Sequence, residues 1–150
     1  MSINNKIFIK FITKSNYGKL KKILEKYRIS SEYFSIESAS RENLNDLLNT
    51  IDIGVFYLKK NDSIKASFPT KISEFLSCNI PLLTNNFNED INEILINNKL
   101  GIINSFNNVN YNLLNNNINS LINDNIRNNN CRKYALSNLS LSFVNLFGVF

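Results

Sequence analysis

Three observations predict an α/β fold built on a doubly wound parallel sheet. Short apolar runs of strand length alternate with segments whose apolar residues recur every three or four positions. The connections between them are a few residues long, which implies right-handed crossovers and a parallel sheet covered on both faces. The chain has 150 residues, 43% of them hydrophobic and 11% aromatic, enough to bury a core. A single domain over residues 1–150 is expected, without internal repeats and without a linker rich in proline or glycine.

The elements follow in order. Lys6 to Thr13 is a strand, and Tyr17, Leu20, Ile23, Leu24 and Tyr27 are spaced as one face of a helix. Tyr33 to Glu37 is a second strand. Ser40 can cap a helix whose apolar face is Leu44, Leu47, Leu48 and Ile51, and Asp52 stands before the apolar strand Ile53 to Leu58. A helix starts at Pro69, with proline suited to the first helical position, and a strand starts at Pro81. A helix over Asp90 to Asn97, a short strand at Gly101 to Ile103, and two helices within Tyr111 to Leu141 complete the reading.

Composition removes several chemistries. The chain has no histidine, which takes away the commonest general base and metal ligand. Its two cysteines, Cys78 and Cys131, lack metal-ligand or redox spacing and read as free thiols. No apolar run reaches the roughly 18 residues of a membrane span, and the first residues lack the apolar core of a secretory signal. The expected compartment is therefore the cytoplasm. Seventeen Lys plus Arg against twelve Asp plus Glu leave +5, a mild bias toward anionic partners. Asparagine makes up about a fifth of the chain, far above ordinary usage. Since leucine and isoleucine keep helical spacing through the richest stretch, the asparagines read as filler on solvent faces.

The stretch Lys65-Ala-Ser-Phe-Pro-Thr-Lys-Ile-Ser-Glu-Phe-Leu-Ser-Cys78 carries the candidate site. It links a strand's carboxyl end to a helix amino end, the place where open α/β sheets bind ligands. The amides of the first helical turn, with the positive end of the helix dipole behind them, suit a phosphate. Lys65 and Lys71 add charge. Thr70 and Glu74 lie four apart on one face with Lys71 beside them, while Ile72, Phe75 and Leu76 turn to the core. A carboxylate there suits hydroxyls of a sugar or ribose. An ordinary surface ion pair between Lys71 and Glu74, with Ser67 and Thr70 acting only as caps, fits the same spacing. Asn79 stands where the helix end calls for a left-handed residue.

The segment from Thr50 through Asp52 to Leu58, followed by Lys65 to Thr84, resembles the carboxyl-terminal domain of retaining group 1 glycosyltransferases of the GT-B fold. The shared pattern is an acidic residue opening a strand, a Ser-Phe-Pro-Thr-Lys loop, a helix carrying Glu74, and a Cys78-Asn-Ile-Pro81 turn. More weakly, the likeness extends over nearly the whole chain. It implies a Rossmann-like half of a two-lobed enzyme, with a nucleotide-diphosphate sugar as donor substrate and no other cofactor. Glu74 would meet the ribose, and Lys65, Ser67, Phe68, Thr70 and Lys71 would lie near the diphosphate or donor sugar. No catalytic and no metal-ligating residue is assigned. Ala66 stands where many members carry a first glutamate, and Asn85 to Asp90 replaces a glycine-rich turn.

The resemblance also implies that the chain starts at the second strand of such a domain and lacks the amino-terminal lobe. The partners expected are a nucleotide sugar, an amino-terminal lobe or partner subunit, and an acceptor at a membrane surface, with no nucleic acid. The inner face of the membrane is then the place of work. A non-catalytic partner subunit or degenerate half of a split transferase is the alternative. A receiver-like signalling domain fits less well, because Asp52 opens a strand where acidic residues clustered at strand carboxyl ends are needed. Isolated, the chain is expected to transfer no sugar. The tail Leu139 to Phe150 is apolar enough to seek a partner or to dock on its own domain.

Overall fold

The structure, a computed structural model, describes residues 7–14, 17–40, 42–58, 69–105 and 109–139. The chain divides into two compact units, Met1–Leu47 and Leu48–Phe150. Both are α/β with parallel strands, as the alternating pattern predicts.

In the first unit β1 (Ile9–Ile12) pairs in parallel with β2 (Phe34–Glu37), Ile9 opposite Phe34 and Ile12 opposite Glu37. The rings of Phe11 and Phe34 meet edge to face at 6.5 Å. Helix α1 (Tyr17–Lys26) makes the crossover. Of the five residues expected on its inner face Leu24 alone is buried, and Tyr17, Ile23 and Tyr27 are exposed. Helix α2 (Leu44–Leu48) is one turn long. Ile51, expected on its apolar face, lies beyond its end, where the Ile51 N–H donates to the Leu48 carbonyl. Ser40 bonds to Asn43 in the turn before the helix and does not cap its first turn.

The second unit holds a three-stranded parallel sheet of β3 (Gly54–Phe56), β4 (Leu82–Thr84) and β5 (Gly101–Ile103), in that spatial order. Helix α3 (Thr70–Ser77) joins β3 to β4, and α4 (Glu89–Asn97) joins β4 to β5. Helices α5 (Tyr111–Asn128) and α6 (Asn130–Asn138) follow. Crossovers of one hand between strands that lie in chain order place their helices on one face. The core agrees: Ile72 and Leu76 of α3, Ile91 and Leu95 of α4, and Cys131 and Ala135 of α6 form one buried cluster with Leu82. Gly101 lets β4 and β5 close up, since a Cβ there would stand 2.8 Å from the Leu82 carbonyl oxygen.

Helix ends in both units share one device. After α1, α3 and α4 the chain turns through a left-handed residue, Arg28, Asn79 or Lys99, with φ of 55, 60 and 55°. In each the next amide reaches back five residues, Ile29 to Leu24, Ile80 to Phe75 and Leu100 to Leu95, at 2.8–3.0 Å. This is the Schellman ending, which usually takes glycine. Asn79 is therefore left-handed, as the sequence predicts.

Cys131 is fully buried in the core, and burial pushes its thiol from 9.0 up to about 12. The folded protein thus holds that proton where the unfolded chain releases it. This part of the stability is complete below pH 9 and is lost as pH rises toward 12, at up to about 1.4 kcal/mol per pH unit. Alkaline unfolding of wild type and Cys131→Ala should show this extra slope in the wild type alone.

Candidate functional site

The turn that ends α3 leads directly into β4, so α3 runs antiparallel to the strands and its amino end lies at the sheet's carboxyl edge. Pro69 precedes the helix as its cap residue, with φ −65° and ψ 125°, and among the described residues no side chain caps the first turn. The sequence places proline one position later, at the first helical residue. The shift follows from its extended ψ, which keeps Pro69 outside the helix while its carbonyl accepts from the Ile72 amide at 3.0 Å. The first turn of α3 contains no acidic residue.

Helix α4 begins differently. The Asn88 side chain accepts from the Ile91 amide at 3.1 Å, and Glu89 and Asp90 occupy the first turn. Its dipole is thereby already answered by negative charge. Of the two crossover helices of the second unit, α3 is the one with no acidic residue in its first turn.

One turn down α3, the Glu74 carboxylate lies 3.8 Å from Lys71 Nζ, with 24% of the Glu74 side chain and 68% of the Lys71 side chain exposed. The ion pair anticipated from the spacing is thus present, and at this exposure it contributes only a few tenths of a kcal/mol. It leaves Glu74 with solvent access on the same helix as Thr70 and Lys71. Ile72 and Leu76 are fully buried and Phe75 packs against the core, as the periodicity predicts. The structure therefore brings Thr70, Lys71 and Glu74 together. Lys65, Ser67 and Phe68 lie outside the described residues.

The carboxyl edge carries polar groups that the sequence does not single out. Asn85, just past β4, accepts from the Leu58 amide at 3.0 Å and donates to the Leu58 carbonyl at 2.8 Å. One side chain thus extends the β3–β4 ladder where the strands end. Tyr57, past β3, is raised above its ordinary phenol value by burial, against a smaller opposing hydrogen bond to the Asn104 side chain. Tyr57 and Asn104 are far apart in sequence, and neither belongs to a motif. The stretch Asn85 to Asp90 also answers what replaces a glycine-rich turn. Within it Asn86 Oδ1 accepts from Asn92 Nδ2 of α4 at 2.9 Å.

At the other end of α3, asparagines lock the helix to the α5–α6 junction. Asn79 Oδ1 accepts from the Arg132 amide at 3.2 Å, and Asn79 Nδ2 donates to Asn129 Oδ1 at 3.0 Å. Asn125 donates to the Asn79 carbonyl at 2.6 Å and accepts from the Cys131 amide at 3.1 Å. From sequence alone, Asn79→Gly is expected to be neutral or mildly stabilising. The side-chain bonds reverse that expectation: glycine eases the left-handed backbone but removes two bonds. Asn79→Gly should lower stability by about 1 kcal/mol in urea unfolding.

Residues 6–137 match the family described as glycosyl transferases group 1. The chain belongs to this family. The match spans both units, and their parallel α/β build fits the Rossmann-like fold of a GT-B carboxyl-terminal domain. No curated protein and no solved structure matches the chain. Among the described residues no helix is long and apolar enough to cross a membrane, and no group of three or more Cys, Asp or Glu stands ready to hold a metal.

Proposed function

We propose that this group 1 glycosyltransferase chain binds the nucleotide-diphosphate sugar donor, with the diphosphate at the amino end of α3 and a ribose or sugar hydroxyl pair on Glu74. The observation that supports this most is the contrast between the two crossover helices of the second unit. The first turn of α3 is free of acids, while that of α4 is acidic and capped by Asn88. Lys71 adds positive charge beside the phosphate position, and Glu74 is an acceptor for hydroxyl donors. Lys65, Ser67 and Phe68 belong to the same proposed site through the family resemblance.

Transfer needs donor and acceptor held in line, and such positioning lowers a barrier by roughly 7–11 kcal/mol. The 150 residues by themselves are proposed to bind donor without turning it over, the acceptor side coming from an amino-terminal lobe or partner subunit.

Titration calorimetry with UDP- and GDP-sugars tests the site. Glu74→Ala should weaken binding about 10- to 100-fold, the worth of hydrogen bonds to a charged acceptor. Lys71→Ala should weaken it less, since a partly screened lysine supplies charge without fixed geometry. Equal affinity for wild type and Glu74→Ala would reduce the Lys71–Glu74 pair to a surface ion pair and remove Glu74 from the site.

A further inference from the structure

The positive charge of the chain is unevenly placed. Residues 1–47 hold nine basic and five acidic residues, which is +4 of the total +5. Between Lys10 and Arg28 there are seven basic residues and one acid, Glu25. Helix α1 concentrates them: Lys19, Lys22 and Lys26 recur at helical spacing and, with Gly18 and Ile23, line one hollow on its surface.

The same helix leaves apolar side chains in solvent. Ile23 is 43% and Tyr27 68% exposed, and on the helix they lie between the lysine stripe and the buried side marked by Leu24. Lys26 Nζ sits 6.0 Å from the centre of the Tyr27 ring, so charge and aromatic face are already side by side. Glu25, three residues after Lys22, borders the stripe on the side opposite Ile23 and Tyr27.

We infer that α1 is a docking surface for an anionic lipid bilayer. A helix lying on such a bilayer needs basic side chains that reach the headgroups and apolar ones that enter the acyl boundary beside them. The lysine stripe of α1 with Ile23 and Tyr27 along its border meets both needs. A nucleic acid would use the lysines but has no use for an exposed isoleucine, which decides between the two polyanions. The surface is independent of the donor site on α3, so its test does not depend on the sugar.

The test is flotation of the full 150-residue chain with vesicles of phosphatidylcholine and phosphatidylglycerol at three to one, and with phosphatidylcholine alone. The chain should float with the anionic vesicles only and be released when salt is raised well above physiological strength. A lysine near an anionic leaflet is worth about five-fold in partitioning, so the triple variant Lys19→Gln, Lys22→Gln, Lys26→Gln should bind roughly 100-fold more weakly. Ile23→Ser with Tyr27→Ser should also bind more weakly, by about 10-fold. The variant Lys99→Gln, Arg127→Gln, Lys133→Gln, which lowers charge in the other unit, should bind as the wild type does. Equal flotation with both vesicle types would overturn the inference, as would equal losses in the two charge variants. Displacement by a single-stranded RNA oligonucleotide, with binding untouched by the Ile23 and Tyr27 changes, would assign the stripe to nucleic acid instead.

Discussion

Leu76→Ala is expected to destabilise the second unit by about 2–5 kcal/mol, a large part of the 5–15 kcal/mol that holds a domain together. Leu76 is fully buried on α3, in the cluster that also contains Ile72, Leu82, Cys131 and Ala135. Its truncation removes apolar contact and leaves a cavity between the helix that bears the candidate site and the α6 helix behind it. The surface comparison is Leu136→Ala on α6, which is exposed and should change stability by less than about 0.5 kcal/mol. Urea midpoints for the two variants check the pair. Similar losses at both positions would mean that α3 and α6 do not share a core.

Asn125→Ala should cost about 2–4 kcal/mol, more than any exposed asparagine in the same helix. Asn125 is buried, and both ends of its amide are used, one on the Asn79 carbonyl and the other on the Cys131 amide. Alanine would strand a backbone acceptor and a backbone donor together, each carrying a desolvation penalty of about 1–3 kcal/mol. Asn125→Asp keeps the acceptor, loses the donor and buries a charge, so it should do no better. Asn123→Ala, on the exposed side of α5, should be neutral within about 0.5 kcal/mol. Thermal or urea unfolding of these three variants would show the ranking, and an Asn123 change as costly as that at Asn125 would contradict it.

The asparagines show where sequence reasoning reaches its limit. Their abundance reads as filler, and Asn123 on the exposed side of α5 agrees with that. Others cap helices or close turns: Asn88 and Asn110 accept from amides of the first turn, and Asn85 completes the strand ladder. Composition does not separate these roles, because each depends on a partner brought near only by the fold. Asn79 makes the point most sharply. Its left-handed backbone is readable from the helix end, whereas its bonds to the amide of Arg132 and to Asn129 cross some fifty positions of chain.

Among the described residues the order of strands and α-helices was legible, since period and turn residues are local signals, whereas the 3-10 turn Ser31–Tyr33 was not. The apolar spacing of α3 and α4 correctly assigns Ile72, Leu76, Ile91 and Leu95 to the core. The same rule fails on α1, where Tyr17, Ile23 and Tyr27 have helical spacing and yet face solvent. Periodicity states which residues share a face but not whether a neighbour covers it. Within the candidate site, Thr70, Lys71 and Glu74 could be read from four or five consecutive positions. Tyr57 and Asn104 could not, because their contact joins the ends of two strands.

The central claim is that a nucleotide-diphosphate sugar binds at the amino end of α3. Two-dimensional amide NMR of the labelled chain, titrated with UDP- and GDP-sugars, tests it most directly. Shifts are expected first at Thr70, Lys71, Ile72 and Glu74, then at Leu58 and Asn85 across the carboxyl edge of the sheet. The groove between α4, β5 and α5, lined by Lys99, Asp124 and Arg127, should stay silent. Shifts concentrated in that groove, or none anywhere at millimolar donor, would contradict the account.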